Sequence, residues 1–327
     1  MKRRFFSLTA ASLLALNHLW VAPGASAQAR FPARPITIVV PYAAGAAPDT
    51  LVRTLAPRLG ERLGQPVVVE NKPGAGGNIG AAYVAKAAPD GHTLLLATQP
   101  MVTINPHLYK NMGFDALTDL TPITEAVNVL LAMSVANSVP ANNLKEFVAY
   151  ARKHPGVSYG TSGMGTPMHL AGLRLEREAG LQMVHVPYKG GSLILQDLAA
   201  GNIQMGMVDF ASSRQLAEAG KIKLLGIGEK ERFSLVANVP TLRESIPNFD
   251  LTSWFGFFGP RGMPSELTER WSTELTSALE NREIKAKLLA MGLTPQPEGP
   301  KALARLVKTE YDAFGRSIRD NKISIDQ

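Results

Sequence analysis

The 327-residue chain contains no cysteine. That absence removes disulfides, thiolate metal sites and cysteine nucleophiles together. Histidine is scarce too: beyond residue 27 only His92, His107, His154, His169 and His185 occur, and no two fall at the spacing of a helical metal site. Long apolar runs are missing. The stretch from Phe5 to Ala22 is mostly apolar, but Asn17 and His18 interrupt it and leave no unbroken span of ~20 residues to cross a bilayer. Lys and Arg number 34 against 27 acids, a net charge of +7. Beyond the first four residues they form no basic block, so nucleic acid is not an expected partner and the excess at most favours anionic ligands.

Catalytic signatures fail as well. "GTSGM" at 160–164 lacks the final glycine of the nucleophile elbow G-x-S-x-G, since Met164 stands there. "GAGGNIG" at 74–80 is not the dinucleotide fingerprint G-x-G-x-x-G, because the sixth residue from Gly74 is Ile79. It reads as a turn that places Asn78 before a helix. No cofactor and no metal are expected.

The N-terminus does carry a signal. Lys2, Arg3 and Arg4 precede the interrupted apolar segment, and Ala25-Ser26-Ala27 follows it in the small-x-small pattern of export cleavage sites. Residues 1–27 are therefore expected to be a signal peptide cut after Ala27. Without them the formal charge falls from +7 to +4, because those residues hold three cations and no acid. Export without disulfides fits a bacterial periplasm.

The remaining chain alternates strand and helix patterns. "ITIVV" and "TLLL" are short continuous apolar runs, typical of strands buried on both faces, and Leu51, Val52, Leu55, Leu59 and Leu63 form one helical stripe between them. Repeated strand–helix–strand units predict a parallel sheet. Asp49 is the expected N-cap of that helix and Gly64 its C-terminal stop. A second α/β set begins near residue 130, with strands at "VLLAMSV", "VSYGTS", "MVHVPY", "IQMGMVD" and "IKLLGIG". "PTLRESIPNFDLTSWFGFFGPRGMP" reads as a Pro-, aromatic- and turn-rich connection, and two helices at about 264–291 and 300–320 close the chain against the first domain. The expected architecture is α/β with two Rossmann-like lobes and a hinge, residues 28–130 plus 252–327 forming one lobe and 131–251 the other. A cleft between such lobes is the usual place for a small ligand.

Two loops are candidates for holding an anion. "PYAAGAAPDT" at 41–50 turns from strand to helix, where small residues bare the backbone and the helix N–H groups carry partial positive charge. "YGTSGMGTPMHLAG" at 159–172 is the second: Thr161, Ser162 and Thr166 offer hydroxyls, Gly163 and Gly165 leave N–H groups bare, and Thr166-Pro167 makes an N-cap with proline at the first helical position. Taken alone, each is also an ordinary capped turn. A ligand with negative groups at both ends would bridge two such cradles. Tyr42 and Tyr188 are aromatic walls or core residues, and Lys189 a ligand cation or a solvated charge. Asp209 binds ligand or caps the next helix. Thr98, ending "HTLLLAT", and His169, which packs or caps if it does not bind, complete the candidate set.

"FPARPITIVVPYAAG", "GQPVVVENKPGAGGNIGA", "INPHLY", "YGTSGMGTPMHLAG", "VPYKGG", "QDLAAGNIQMGMVD" and "VPTLRES", in this order over nearly the whole exported chain, resemble the Bug family of periplasmic solute-binding proteins, the receptors of tripartite tricarboxylate transporters. The resemblance implies a two-lobed, Venus-flytrap-like binding protein of type II character with no catalytic activity. It would close on di- or tricarboxylates, acidic amino acids or aromatic carboxylates. Its partners would be membrane transporter subunits, and it would act as a monomer. The family's carboxylate-clasping loops match Tyr42, Ala44, Gly45 and Asp49 on one side and Thr161, Ser162, Gly163, Gly165 and Thr166 on the other. Ala46 stands where the family has a second glycine; an alanine there resists a left-handed backbone and adds a methyl near the ligand. A ligand sensor docking on a membrane signalling protein would use the same cleft. An exported hydrolase is disfavoured because no nucleophile has a plausible base.

Overall fold

A computed structural model describes residues 31–325 except 234, 235, 248 and 250; the expected signal peptide lies outside the described residues. The strand β1 (Ile36–Val40) is an interior strand of the first sheet, as its mostly apolar run requires: Ile36, Ile38, Val39 and Val40 are all fully buried. α1 (Ala47–Leu63) follows, then β2 (Val67–Asn71), α2 (Asn78–Ala85) and β3 (Thr93–Thr98). Both β2 and β3 pair with β1 in parallel. The leucine stripe of α1 is buried and Gly64 ends the helix at φ 69°.

The rest of this sheet departs from the expected parallel arrangement. After α3 (Gln99–Thr103) and α4 (Asn105–Leu108), β4 (Leu120–Val129) enters it antiparallel to strands contributed by the last third of the chain. The second sheet uses β5 (Leu131–Ala136), α5 (Leu144–Lys153), β6 (Val157–Thr161), α6 (Pro167–Ala179), β7 (Met183–Pro187), α7 (Gly191–Ala200), β8 (Met205–Asp209), α8 (Phe210–Glu218) and β9 (Ile222–Ile227). Its order is β7-β6-β8-β5-β9, with β6 parallel to β7 and β8 while β5 runs antiparallel to β8 and β9. The chain then returns to the first sheet as β10 (Ser253–Pro260), α9 (Ser265–Leu279), α10 (Arg282–Ala290), β11 (Leu293–Glu298) and α11 (Pro300–Asp320), giving the order β11-β4-β10-β3-β1-β2.

β10 is the segment "SWFGFFGP", which its glycines and proline mark as connection in sequence. It is a central strand instead, with Trp254, Phe255, Phe257 and Phe258 buried. A Cβ on Gly256 would lie 3.2 Å from the Trp254 ring, and one on Gly259 2.6 Å from the Met263 sulfur, so these glycines make room for neighbours rather than for a turn. The single expected helix at 264–291 is split, because Asn281 accepts from the Glu283 and Ile284 N–H groups and starts α10 anew. Among the described residues, no helix is long and apolar enough to cross a membrane.

The two sheets are joined where the chain passes twice. Only Leu130 separates β4 from β5, and its N–H donates to Gly292 O at 2.9 Å while its carbonyl accepts from Phe210 N at 2.8 Å. The return passage starts at Gly228, whose N–H donates to Leu131 O at 3.0 Å. A Cβ built on Gly228 would lie 1.8 Å from the Leu251 carbonyl oxygen, a backbone atom that cannot swing aside. Away from this crossing, Ile104, Leu170 and Ile318 cluster, bringing the end of α11 against α6.

Gly228→Ala is therefore expected to cost at least 1–3 kcal/mol, the usual size of overpacking. Gly201→Ala, with φ 78° and open space around its Cβ, should cost only about 1 kcal/mol. Urea melts of the two variants measure the difference, and equal losses would show that the crossing is not tightly packed.

Candidate ligand-binding site

Every residue singled out in the sequence lies at or just after the carboxyl end of a strand, the edge where open α/β sheets receive ligands. Tyr42 to Asp49 follow β1, Thr98 ends β3, Thr161 ends β6 and leads into Ser162–His169, Tyr188 and Lys189 follow β7, and Asp209 ends β8.

In the first loop the organising group is Asp49, which is not the N-cap. Ala46 holds that position without a side-chain cap, and Asp49 sits three residues on, 2% exposed. Its carboxylate accepts from Gly45 N at 2.8 Å, from Arg53 Nε at 2.9 and 3.0 Å, and from Asn71 Nδ2 at 2.9 Å; Asn71 Nδ2 also donates to Tyr42 O at 3.0 Å. Burial alone would raise its pKa, but these donors outweigh it and hold the carboxyl below the usual range. The acid is thus a brace that turns inward, and the ligand side of the loop is left to the exposed main chain of Ala44 and Gly45. Gly45 takes φ 84°, which a side chain would resist. Ala46 does not: at φ −68° and ψ 158° its backbone suits an alanine, so the substitution of the family's second glycine demands no left-handed turn here. Tyr42 Oη and Thr98 Oγ1 share a hydrogen bond of 2.7 Å, and burial pushes the Tyr42 phenol above its ordinary range.

The second loop reaches the same end by hydroxyls. Thr166 caps α6, accepting from His169 N at 3.3 Å, and its own hydroxyl donates to Gly163 O at 2.9 Å. The Thr161 hydroxyl also donates to Gly163 O, at 3.1 Å, and meets His185 Nε2 at 2.6 Å. The Thr166 proton is therefore turned onto the loop's own carbonyl, and the Thr161 proton joins it when His185 donates from Nε2. Among the described residues, the N–H groups of Ala44, Ser162, Gly163 and Met164 and the hydroxyl of Ser162 have no hydrogen-bond partner. Gly165 N donates to His169 Nδ1 at 3.0 Å, and the His169 ring stacks on His185 with centroids 3.9 Å apart. Gly165 also lies against α4 of the first sheet, for a Cβ on it would come within 2.3 Å of Leu108 Cδ1.

The remaining candidates are placed more plainly. Tyr188 Oη donates to Asp197 Oδ2 at 2.6 Å, Asp209 caps α8 by accepting from Ser212 N at 2.8 Å, and Lys189 is exposed. Asn78 starts α2, buried, accepting from Asn105 Nδ2 at 2.9 Å. Arg53, Asn71 and His185 escaped the sequence reading. Arg53 at i+4 from Asp49 was the one local signal; the other two emerge only once β2 pairs with β1 and β7 with β6.

Comparison with known proteins identifies the family and the fold. Residues 51–323 match the sequence model of a family described as "Tripartite tricarboxylate transporter family receptor". Rpa4515 of R. palustris, solved with adipate, is 32% identical, with 90% of this chain and 100% of that chain covered and a TM-score of 0.77. MatC (Rpa3494) from Rhodopseudomonas palustris, solved with bound malate, is 30% identical, covering 88% and 100%, with a TM-score of 0.72. The periplasmic binding protein BugD is likewise 30% identical, covering 90% and 100%, with a TM-score of 0.73.

The buried histidine gives a pH signature. Burial, and then the adjacent His185, lowers His169 to about 4, whereas an unfolded histidine titrates near 6.5. Between those values the unfolded chain binds the extra proton, so the stabilisation is complete above pH 6.5 and is lost as pH falls toward 4. His169→Asn keeps an acceptor for Gly165 N–H but cannot titrate. Thermal or urea melts across this window should show the variant's slope reduced by up to about 1.4 kcal/mol per pH unit; identical slopes would mean that His169 is protonated normally.

Proposed function

Because the chain belongs to the tripartite tricarboxylate transporter receptor family, whose members are periplasmic solute-binding receptors and not enzymes, we propose that it captures a small carboxylate between two lobes and delivers it to membrane transporter subunits. The cargo class is a di- or tricarboxylate, an acidic amino acid or an aromatic carboxylate. The lobes are residues 28–130 plus 252–327 and residues 131–251, with the double crossing at Leu130 and Gly228 as the hinge.

One observation carries the reading: at two strand carboxyl ends the acceptors are turned away from the ligand side, the Asp49 carboxylate onto Gly45, Arg53 and Asn71 in one loop and the Gly163 carbonyl onto threonine hydroxyls in the other, leaving bare the Ala44 N–H on the first and those of Ser162, Gly163 and Met164 on the second. Donors without acceptors, in the loops that lead into α1 and α6, fit a carboxylate at each end of the ligand. Adipate and malate in the neighbouring structures are both dicarboxylates, which supports the class. In this reading Ser162 donates its free hydroxyl directly to the ligand, whereas Thr161, Thr166 and His169 shape the loop. Tyr42 and Thr98 wall the first side, and Tyr188, Lys189 and Asp209 border the second.

Ser162→Ala should weaken binding about tenfold or more, the loss of one hydrogen bond to a charged group, with the melting temperature of the free protein unchanged. Titration calorimetry with malate and adipate as probes measures this. A cognate ligand at a hundredfold excess over Kd adds roughly 2.7 kcal/mol of stability. If a panel of aliphatic, tricarboxylic and aromatic acids moves no melting curve, the carboxylate reading fails. Processing is expected after Ala27, so the intact mass of protein from a periplasmic extract should begin at Gln28; a chain retaining Met1 to Ala27 there would contradict it.

A further inference from the structure

A cavity of about 680 Å³ lies behind the crossing, and none of its lining residues belongs to either loop. Its walls come from β4, β11, α10, α11 and the chain on both flanks of the return passage, Glu229–Phe233 and Thr252–Trp254. The lining is rich in carboxylates. Glu125 and Glu298 are opposed across the β4–β11 pair, and Glu310 and Glu229 join them. Like charges facing one another across strands repel.

Cations do not resolve the conflict. Among the described residues none of these four carboxylates has a cation within salt-bridge distance. Arg232 is held by Glu244 at 2.6 and 2.8 Å, while Lys230 and Lys285 are exposed; Glu231 adds a further exposed acid. Glu310 is positioned by Gln99 Nε2 at 2.9 Å and Trp254 Nε1 at 2.8 Å, both on one oxygen. Glu125 is the decisive residue. It is 5% exposed, lines the cavity, and its side chain has no hydrogen-bond partner among the described residues. The shielded Thr294 hydroxyl on the same wall is also unpartnered. A buried carboxylate in this state requires a proton or a cation.

The arrangement discriminates between cations. Among the described residues no three acidic or histidine side chains converge closely enough to hold a metal ion. The carboxylates are instead spread around a volume whose remaining walls include Phe233, Trp254, Leu289 and Leu306. Carboxylates and apolar side chains lining one cavity match ammonium groups joined by methylenes. We propose that this cavity is a second binding site, for an aliphatic di- or polyamine, with Glu125 and Glu298 as its principal ligands.

Burial, then the Glu298 and Glu310 charges and more weakly Glu229, push Glu125 up to about 8, with Lys230 acting in the opposite sense. An arriving ammonium must therefore displace the Glu125 proton, and binding near pH 7 should release it to buffer. The experiment is titration calorimetry of the processed protein with putrescine and with spermidine, in two buffers of different ionisation enthalpy. Saturable binding with proton release is expected. Glu125→Gln, isosteric with the protonated acid, should weaken it about tenfold or more and abolish the release. Glu298→Gln, at an exposed position, should weaken it while preserving the fold. Ser162→Ala should leave it unchanged, so failure here and failure of the carboxylate site are told apart. No saturable heat at millimolar amine, or equal binding by both glutamine variants, would overturn the proposal.

Discussion

Two chain passages lying side by side hold the molecule's two sheets together, and most of its behaviour follows from that constraint. Leu130 and Gly228 leave no slack: one residue separates β4 from β5, and the return strand is bonded to Leu131 before it departs. Such a short double connection allows little sliding of one sheet past the other. Away from that seam the apolar cluster of Ile104, Leu170 and Ile318, with Gly165 against Leu108, makes a second contact between elements of the two sheets. The two candidate loops lie at strand carboxyl ends, and Gly165 of the second takes part in the contact with Leu108.

The loops solve one problem with different chemistry. A strand-to-helix turn has donors that face a ligand and acceptors that would repel it. In the first loop a buried carboxylate gathers the turn by accepting from Gly45, Arg53 and Asn71. In the second, two threonine hydroxyls draw Gly163's carbonyl inward, and a neutral histidine takes the Gly165 N–H. The donors around the first brace favour its ionised form and hold the carboxyl below its usual range; the second depends on an imidazole that must stay unprotonated. The two loops therefore differ in robustness to acid even though their purpose is shared.

Much of this was legible in the sequence, for physical reasons that also explain the gaps. Apolar runs and the 3.6-residue stripe declare β1, β3 and α1, and Thr166-Pro167 declares the start of α6 correctly, because caps and buried strands are local phenomena. Asp49 was misplaced by three residues since its role is set by Asn71, 22 positions away, and not by its own helix. β10 was hidden because glycines that relieve crowding among Trp254, Thr124 and Met263 look the same in sequence as glycines that turn the chain. The antiparallel half of the first sheet depends on pairing between residues 120–129 and 253–298, which no local pattern encodes. Ala46 could be judged only once its dihedral angles were known.

Reliance on main-chain donors has a consequence for how such a receptor diverges. A side-chain ligand is lost by a single substitution, whereas the N–H of Ala44 or Met164 is retained by every replacement except proline; Gly163, at φ 129°, is the exception that must stay glycine. Proline already occupies positions 48 and 167, the helix-start positions where its missing donor costs least. A donor set of this kind is thus buffered against mutation, while exposed neighbours such as Met164 and Lys189 remain open to change. Paralogues can explore new cargo by varying those neighbours without first dismantling the apparatus that grips a carboxylate.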